Sequence, residues 1–402
     1  MKKTSSLRYL FWIRILIDLK RLFLKSIKSA LDRISDDYTV QTRFGKKWFS
    51  NTLFNLKEAR KLKPILPPIK SAIITAAGPS LENSIEEIRE KQKNATLIAT
   101  DTTVPALLEY GIKPDIIISI DCQHISYYHF LKGVPRDIPL VLDIASPKKL
   151  TTLFDQVYFF TSGHPFSQYV TNNYKSFPPL ETSGGSVTHA AMSLAGALNA
   201  KDIHLFGADF SYPLGKSYSR GTYIYDFFNK SNKRTSSLES SFFSFIMQSR
   251  DIRLEECPGG LRYITKPMME YKKNLEREAK KINSNIYAKH DLGCKINIEK
   301  KNPIQPDILP LFVEGKCKTS NVNFLIDYKK TLLTLPDIMF PIEVYMNRLT
   351  KKQQQVWLTI IPVLATLQGR TELSKTLMNE TIAWMTTRID RHIDMEEQKK
   401  GA

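Results

Sequence analysis

Only four cysteines occur in the 402 residues, Cys122, Cys257, Cys294 and Cys317, and none stands in Cys-x-x-Cys spacing. That excludes a zinc-finger ligand set and a disulfide framework, and it points to a reducing, cytoplasmic setting. No apolar run approaches the roughly 20 residues needed to span a bilayer, because Arg14, Asp18, Lys20 and Arg21 interrupt the N-terminal one. The same charges break the apolar core that a secretory signal requires. Internal repeats and low-complexity tracts are absent, as are finger, RNP-like and helix-turn-helix signatures, so nucleic acid is not an expected partner. Acidic residues are in deficit: 40 Asp and Glu face 58 Lys and Arg, a net charge of +18. An excess of that size favours anionic partners, here an anionic substrate or an anionic lipid surface.

Much of the positive excess lies in the first seventy residues. Arg14, Asp18, Arg21, Lys25 and Lys28 share one helical stripe, while Trp12, Ile13, Leu16, Leu19, Phe23 and Ile27 cover much of the remaining surface. Such a helix either lies on an anionic membrane surface, giving residues 1–35 a peripheral contact with the inner membrane, or packs on the protein's own core or a second copy.

The middle of the chain alternates short apolar runs with helical segments. Ser71–Ala77, Ala95–Asp101, Asp115–Asp121, Pro139–Ile144, Gln156–Phe160 and Ile203–Phe206 read as strands. Near-continuous apolar strands separated by helices predict an α/β fold, a Rossmann-like, mostly parallel sheet with helices on both faces. Helical N- and C-terminal regions flank it. The expected organisation is a basic helical region over 1–66, a nucleotide-sugar-binding domain over 67–300 and a helical region over 301–402. Asn302-Pro-Ile-Gln-Pro-Asp-Ile-Leu-Pro310 reads as the linker between the last two. The segment 211–263 is long, polar and aromatic, the composition of an active-site lid.

Two turns carry the chemistry. Gly78-Pro-Ser-Leu81 ends the first strand, with Gly78 turning the backbone, Pro79 fixing the next φ and Ser80 offering a hydroxyl. Thr182-Ser-Gly-Gly-Ser186 opens the small, apolar helix Val187–Leu198, where the N–H groups of Ser183, Gly184, Gly185 and Ser186 can meet an anion. Asp101, Asp121 and Asp209 fall at the carboxyl ends of predicted strands, where open α/β sheets bind ligands. Thr102 and Gln123, which follow the first two carboxylates, are expected beside the same crevice. Asp121 and Asp209 are the candidate general bases, and His189 is a third, set among alanines on the helix after the glycine turn. Arg220 in the lid suits bidentate contact with a phosphate or carboxylate.

Taken in order, Gly78-Pro-Ser-Leu81, Ala99-Thr-Asp101 through Gly111-Ile-Lys-Pro-Asp115 to Ile120-Asp121, Ser183-Gly-Gly-Ser-Val187 and Gly207-Ala-Asp209 resemble a known family set. They resemble the motility-associated factor (Maf) flagellin glycosyltransferases and the related 6-hydroxymethylpterin diphosphokinase MptE-like proteins, over roughly residues 70–225. The chain is also similar to bacterial CMP-sialic-acid-dependent sialyltransferases, through Thr182-Ser-Gly184, Ala190-Ala191, the run Ile203–Phe210, Tyr212 and Lys216-Ser-Tyr218. That resemblance implies that Tyr212 and Tyr218 bind the CMP phosphate and that Asp101 and Asp121 lie near nucleotide and sugar. The sialyltransferase catalytic histidine has no counterpart here, since Arg262-Tyr-Ile-Thr-Lys266 occupies the stretch after the lid.

The resemblance therefore implies a glycosyltransferase moving a nonulosonic acid of the sialic, legionaminic or pseudaminic kind from a CMP donor. The acceptor would be a protein such as flagellin or a surface glycan, with no resident metal and no required cofactor. Two alternatives stand beside it: a diphosphokinase using ATP and magnesium held by Asp101, Asp121 and Asp209, and a non-catalytic nucleotide-binding scaffold.

Overall fold

The computed structural model describes residues 40–61, 63–182, 185–230, 232–249, 251–289, 291–299, 301, 312–368 and 374–398. The basic helix expected near the N-terminus and the linker over 302–310 lie outside the described residues. The described residues divide into two compact units: those of 47–330 with 388–398, and those of 40–46 with 331–387.

The larger unit contains the sheet. Helix α1 covers 40–59, followed by β1 (Ser71–Thr75), α2 (Ile85–Gln92), β2 (Thr96–Thr100), α3 (Val104–Glu109), β3 (Ile116–Ser119) and α4 (Ile125–Tyr128). Next come β4 (Leu140–Asp143), β5 (Val157–Phe160), α5 (Pro165–Asn173), α6 (Val187–Ala197) and β6 (Asp202–Phe206). All six strands expected from apolar patterning are present. Val141 to Asp143, Ile116 to Ser119 and Tyr158 to Phe160 are buried at successive positions. Successive strand side chains point to opposite faces, so both faces of this sheet are covered.

Seven strands pair in parallel in the order β10-β6-β1-β2-β3-β4-β5, the last of them being β10 (Asn285–Ala288). From β1 the chain winds outward to β5, then returns to place β6 on the other side of β1. This reversal is a topological switch point, where the loops after neighbouring strands part to leave a crevice at their carboxyl ends. Helix α6 packs across β1, β2 and β3. Its inner face is Ala190, Ala191, Leu194 and Ala195, all fully buried, and these small side chains bring its axis close to the sheet.

Residues 211–263, expected as a lid, are folded among the described residues. They carry β7 (Tyr212–Pro213), α7 (Tyr223–Lys230), α8 (Leu238–Ile246), β8 (Arg253–Cys257) and most of β9 (Gly260–Ile264). The order β7-β9-β8 is an antiparallel sheet, and the rings of Phe228, Phe242 and Phe245 close over one another at 5.4–5.7 Å. Helix α9 (Lys266–Ala279) follows and leads into β10. The edge strand β10 was not legible in the sequence: its apolar run is only three residues long, Ile286 to Ala288, and pairing with β6 is what makes it a strand.

The smaller unit is helical. It contains the end of α10 (Asn321–Leu333), α11 (Ile342–Arg348), α12 (Lys351–Gln368) and much of α13 (Lys375–Gln398). Tyr345 meets Trp357 edge-on at 5.1 Å, and Gly45 lies where a side chain would strike the Pro362 carbonyl. No helix among the described residues is long and apolar enough to cross a membrane.

Candidate functional site

A pocket of about 350 Å³ opens at the switch point. Its walls are the ends of β1 and β6, Thr100 and Thr102 after β2, the start of α6, Ser217 and Tyr218 from the folded lid, and Met268 and Tyr271 on α9. Gly78, Thr102, Gly185, Ser186, Asp209 and Tyr218, all anticipated as site residues, therefore share one cavity.

The two glycine turns are dictated by close approach. A side chain at Gly78 would bring its Cβ within 2.5 Å of both the Asp209 carboxylate and the Gly207 carbonyl. Gly185 has φ +82°, and a Cβ there would collide with the Tyr271 ring. Only glycine satisfies both the left-handed backbone and the clearance.

Asp209 is 3% exposed and does not dangle into the cavity as a free acid. Ser80 N–H donates to its Oδ2 at 2.9 Å and the Ser80 hydroxyl bonds its Oδ1. Burial raises its pKa while those two bonds oppose the shift. Asp209 thus ties the turn after β1 to the turn after β6 and fixes the pocket floor.

His189 is likewise committed. A peptide oxygen can only accept, so Nε2 donates to the Tyr271 carbonyl at 3.0 Å, and the neutral ring takes the Ser186 hydroxyl on Nδ1 at 3.1 Å. Burial lowers its pKa and keeps it neutral. The imidazole clips α9 to the first turn of α6. Since the Ser186 hydroxyl is spent on this bond, its backbone N–H is the group left for an anion.

The remaining anticipated residues do not line the cavity. Asp101 is buried, accepting from Ser119 Oγ at 2.6 Å and from the Thr102 N–H at 2.7 Å. Asp121, at the end of β3, accepts the Gln123 N–H at 2.8 Å, and burial raises its pKa. Pro79 is buried at the first position of a short 3₁₀ turn. Tyr212 sits behind the wall on β7, its pKa pushed up to about 12 by burial, with its ring 6.3 Å from Phe245. Tyr218 meets the same Phe245 at 6.5 Å and does reach the pocket. Arg220 is exposed, its backbone N–H bonded to Glu82 at 2.8 Å. Ser183 and Gly184 lie outside the described residues.

Two contributors escaped sequence reasoning. Ser217 is 5% exposed, lines the pocket, and its Oγ has no hydrogen-bond partner. A buried hydroxyl without a partner costs about 1–3 kcal/mol, which a ligand oxygen placed there would relieve. Its position next to Tyr218 was the available signal. Tyr271 supplies a ring over the glycine turn from a helix far along the chain, and no local pattern marks it.

Fold and crevice together define the class: an open, parallel α/β protein with a ligand-sized pocket at its switch point, floored by glycine turns and a fixed carboxylate. Residues 46–215 match the profile of the 6-hydroxymethylpterin diphosphokinase MptE-like family, as the motif order led us to expect. Two proteins of Treponema pallidum (strain Nichols), both described as uncharacterized, are similar: one is 46% identical over 101 residues and the other 34% identical over 153. These matches cover 24% and 37% of this chain and 48% and 54% of the relatives, so the chain spans about half the length of the curated relatives it matches. Among solved structures, the Maf glycosyltransferase from Magnetospirillum magneticum AMB-1 aligns with 86% of this chain and 54% of its own length, at 14% identity and a TM-score of 0.46.

Proposed function

We propose that this protein is a glycosyltransferase that takes a nonulosonic acid from a CMP donor in the switch-point pocket and passes it to a hydroxyl of a protein or glycan. The observation that carries the reading is the pocket itself, lined by the N-terminus of α6 and by Ser217, whose buried hydroxyl has no partner. The Gly185 N–H is already bonded to the Thr182 carbonyl at 3.1 Å, so the Ser186 N–H, the Ser217 hydroxyl and the Tyr218 hydroxyl would hold the CMP phosphate as the glycosidic C–O bond breaks and negative charge accumulates there. The acceptor oxygen attacks the anomeric carbon and gives its proton to a base. Asp209 has both carboxylate oxygens and His189 both ring nitrogens in bonds to other segments, whereas Asp121, outside the pocket lining, bonds its near neighbour Gln123, so Asp121 is the base we assign. A cytoplasmic site and attachment of residues 1–35 to the inner membrane surface belong to the same proposal.

A second reading is favoured by the profile match over 46–215: transfer of a diphosphate from ATP to a pterin-like alcohol. Magnesium in such enzymes rides mainly on the nucleotide and needs one or two protein carboxylates, for which Asp101, Asp121 and Asp209 are the candidates.

Thermal denaturation with CMP, CMP-sugars, ATP plus magnesium, and NAD separates these. At a hundredfold excess over Kd the right ligand adds about 2.7 kcal/mol to stability. CMP and a CMP-nonulosonic acid are expected to raise the melting temperature. A response to ATP with magnesium and none to CMP would sink the transferase reading and install the kinase one.

A further inference from the structure

A second cavity, of about 220 Å³, lies one helical turn from the first. Thr102 borders the first pocket and Pro105 the second, three residues apart and so roughly 5–6 Å along the chain. The folded lid repeats the relation, with Tyr218 in the first pocket and Tyr223 in the second. Both cavities thus share the same two walls.

Its chemistry differs from that of the first. Tyr223 lies 5.4 Å from Tyr128 and 6.3 Å from Phe227, and the outer two rings are 41% and 55% exposed. Below them His129 is 7% exposed, edge-on to Tyr223 at 6.1 Å, and its Nδ1 has no hydrogen-bond partner. Lys132 pairs with Asp226 at 2.5 Å, so a donor and an acceptor stand side by side in the same cavity.

Exposed rings around a buried imidazole whose Nδ1 has no partner call for a ligand with an apolar face and a hydroxylated edge. A pyranose has both: its C–H face stacks on aromatic rings, and its hydroxyls donate to a carboxylate while accepting from an ammonium or imidazole. The volume holds one such ring. A bare serine or threonine has no face for these rings.

We infer that this cavity is the acceptor subsite and that it binds an uncharged hexose unit, so that the acceptor is a glycan rather than an unmodified polypeptide. The inference rests on the proposed transferase reading. It places the acceptor hydroxyl on the side of the hexose that faces the switch-point pocket, across the Thr102–Pro105 segment the two cavities share.

Saturation-transfer NMR on the full chain tests it without any donor. Methyl β-galactopyranoside, methyl α-glucopyranoside and N-acetylglucosamine are the probes, with a threonine tripeptide for comparison. At least one sugar is expected to give signals at millimolar concentration, to keep them under excess CMP, and to lose at least fivefold in affinity in both Phe227→Ala and Tyr128→Ala. Both rings are substantially exposed, and melting temperatures taken alongside show that each variant is folded. Silence from all three sugars, displacement by CMP, full binding in both variants, or binding of the tripeptide alone would each overturn the subsite. Failure of CMP to stabilise the protein strikes the transferase reading instead, and the two results are read separately.

Discussion

Of the buried aspartates at the carboxyl edge of the sheet, Asp209 and Asp143 have opposite fates. After β6, Asp209 meets the turn that follows β1, and the reversal of chain direction holds a cavity open above it. After β4, Asp143 is equally buried, accepts the Ala145 N–H at 2.9 Å, and has His164 at 4.0 Å. His164 in turn stacks on Trp48 of α1 at 3.9 Å, and Asn51 and Asn55 of the same helix donate to the Ala145, Ile144 and Ser146 carbonyls, so α1 covers the end of β4. The two ends differ in what lies over them, not in the residue at the strand terminus. A carboxylate at a strand end becomes part of a site where winding reverses and becomes packing where it continues.

The strongest way to break this comparison is to remove each acid in turn. Asp209→Ala strands the Ser80 N–H and hydroxyl and should cost about 3 kcal/mol. It should also abolish the stabilisation by CMP, because the pocket floor loses its tie. Asp143→Ala should lower the melting temperature and leave the CMP-induced rise intact. Equal loss of the CMP response in both variants would show that the β4 end also takes part in binding.

Titration sharpens the same contrast. Burial raises Asp143 to about 6 and lowers His164 to about 4. The carboxyl binds its proton more tightly when folded, so its contribution falls as pH rises from about 4 to 6. The imidazole binds its proton more weakly when folded, so its contribution rises over nearly the same interval. The two oppose each other in the parent protein. Relative to the parent, His164→Gln should lose about 2 kcal/mol between pH 4 and 6, and Asp143→Asn should gain a similar amount. Parallel stability curves for all three proteins across that window would refute the two burial-driven shifts.

The smallest expected effect separates binding from stability at the pocket. Ser217→Ala removes a buried hydroxyl that has no partner, so the melting temperature should hold or rise slightly. CMP affinity should nevertheless drop by about fivefold to tenfold, the value of one hydrogen bond. Calorimetry on the two proteins checks both halves. Unchanged affinity would mean that the hydroxyl does not face the ligand.

Much of this was written locally. Six strands announced themselves as apolar runs, and the helix after the glycine turn as a series of small residues, because parallel strands and close helix packing each demand a continuous composition. The turns at Gly78 and Gly185 were equally plain, since few residues but glycine fit there. The roles of Asp209 and His189 were not. Asp209 looks like a free acid in sequence and His189, set among alanines, like a packed side chain with a base as the lesser reading; each is occupied by a partner about 80 to 130 residues away, Tyr271 for the imidazole and Ser80 for the carboxylate.

The sequence by itself determined the α/β class, the strand ends and the places of the two glycine turns, because these depend on residues within a few positions of one another. Tertiary structure alone decided that β10 joins the sheet, that residues 211–263 fold as a helical and antiparallel layer, and that Ser217 is left without a partner inside a pocket. It also decided which buried acid stands beneath open space. Such outcomes depend on which distant segments meet, and burial and hydrogen bonding are settled only at that meeting.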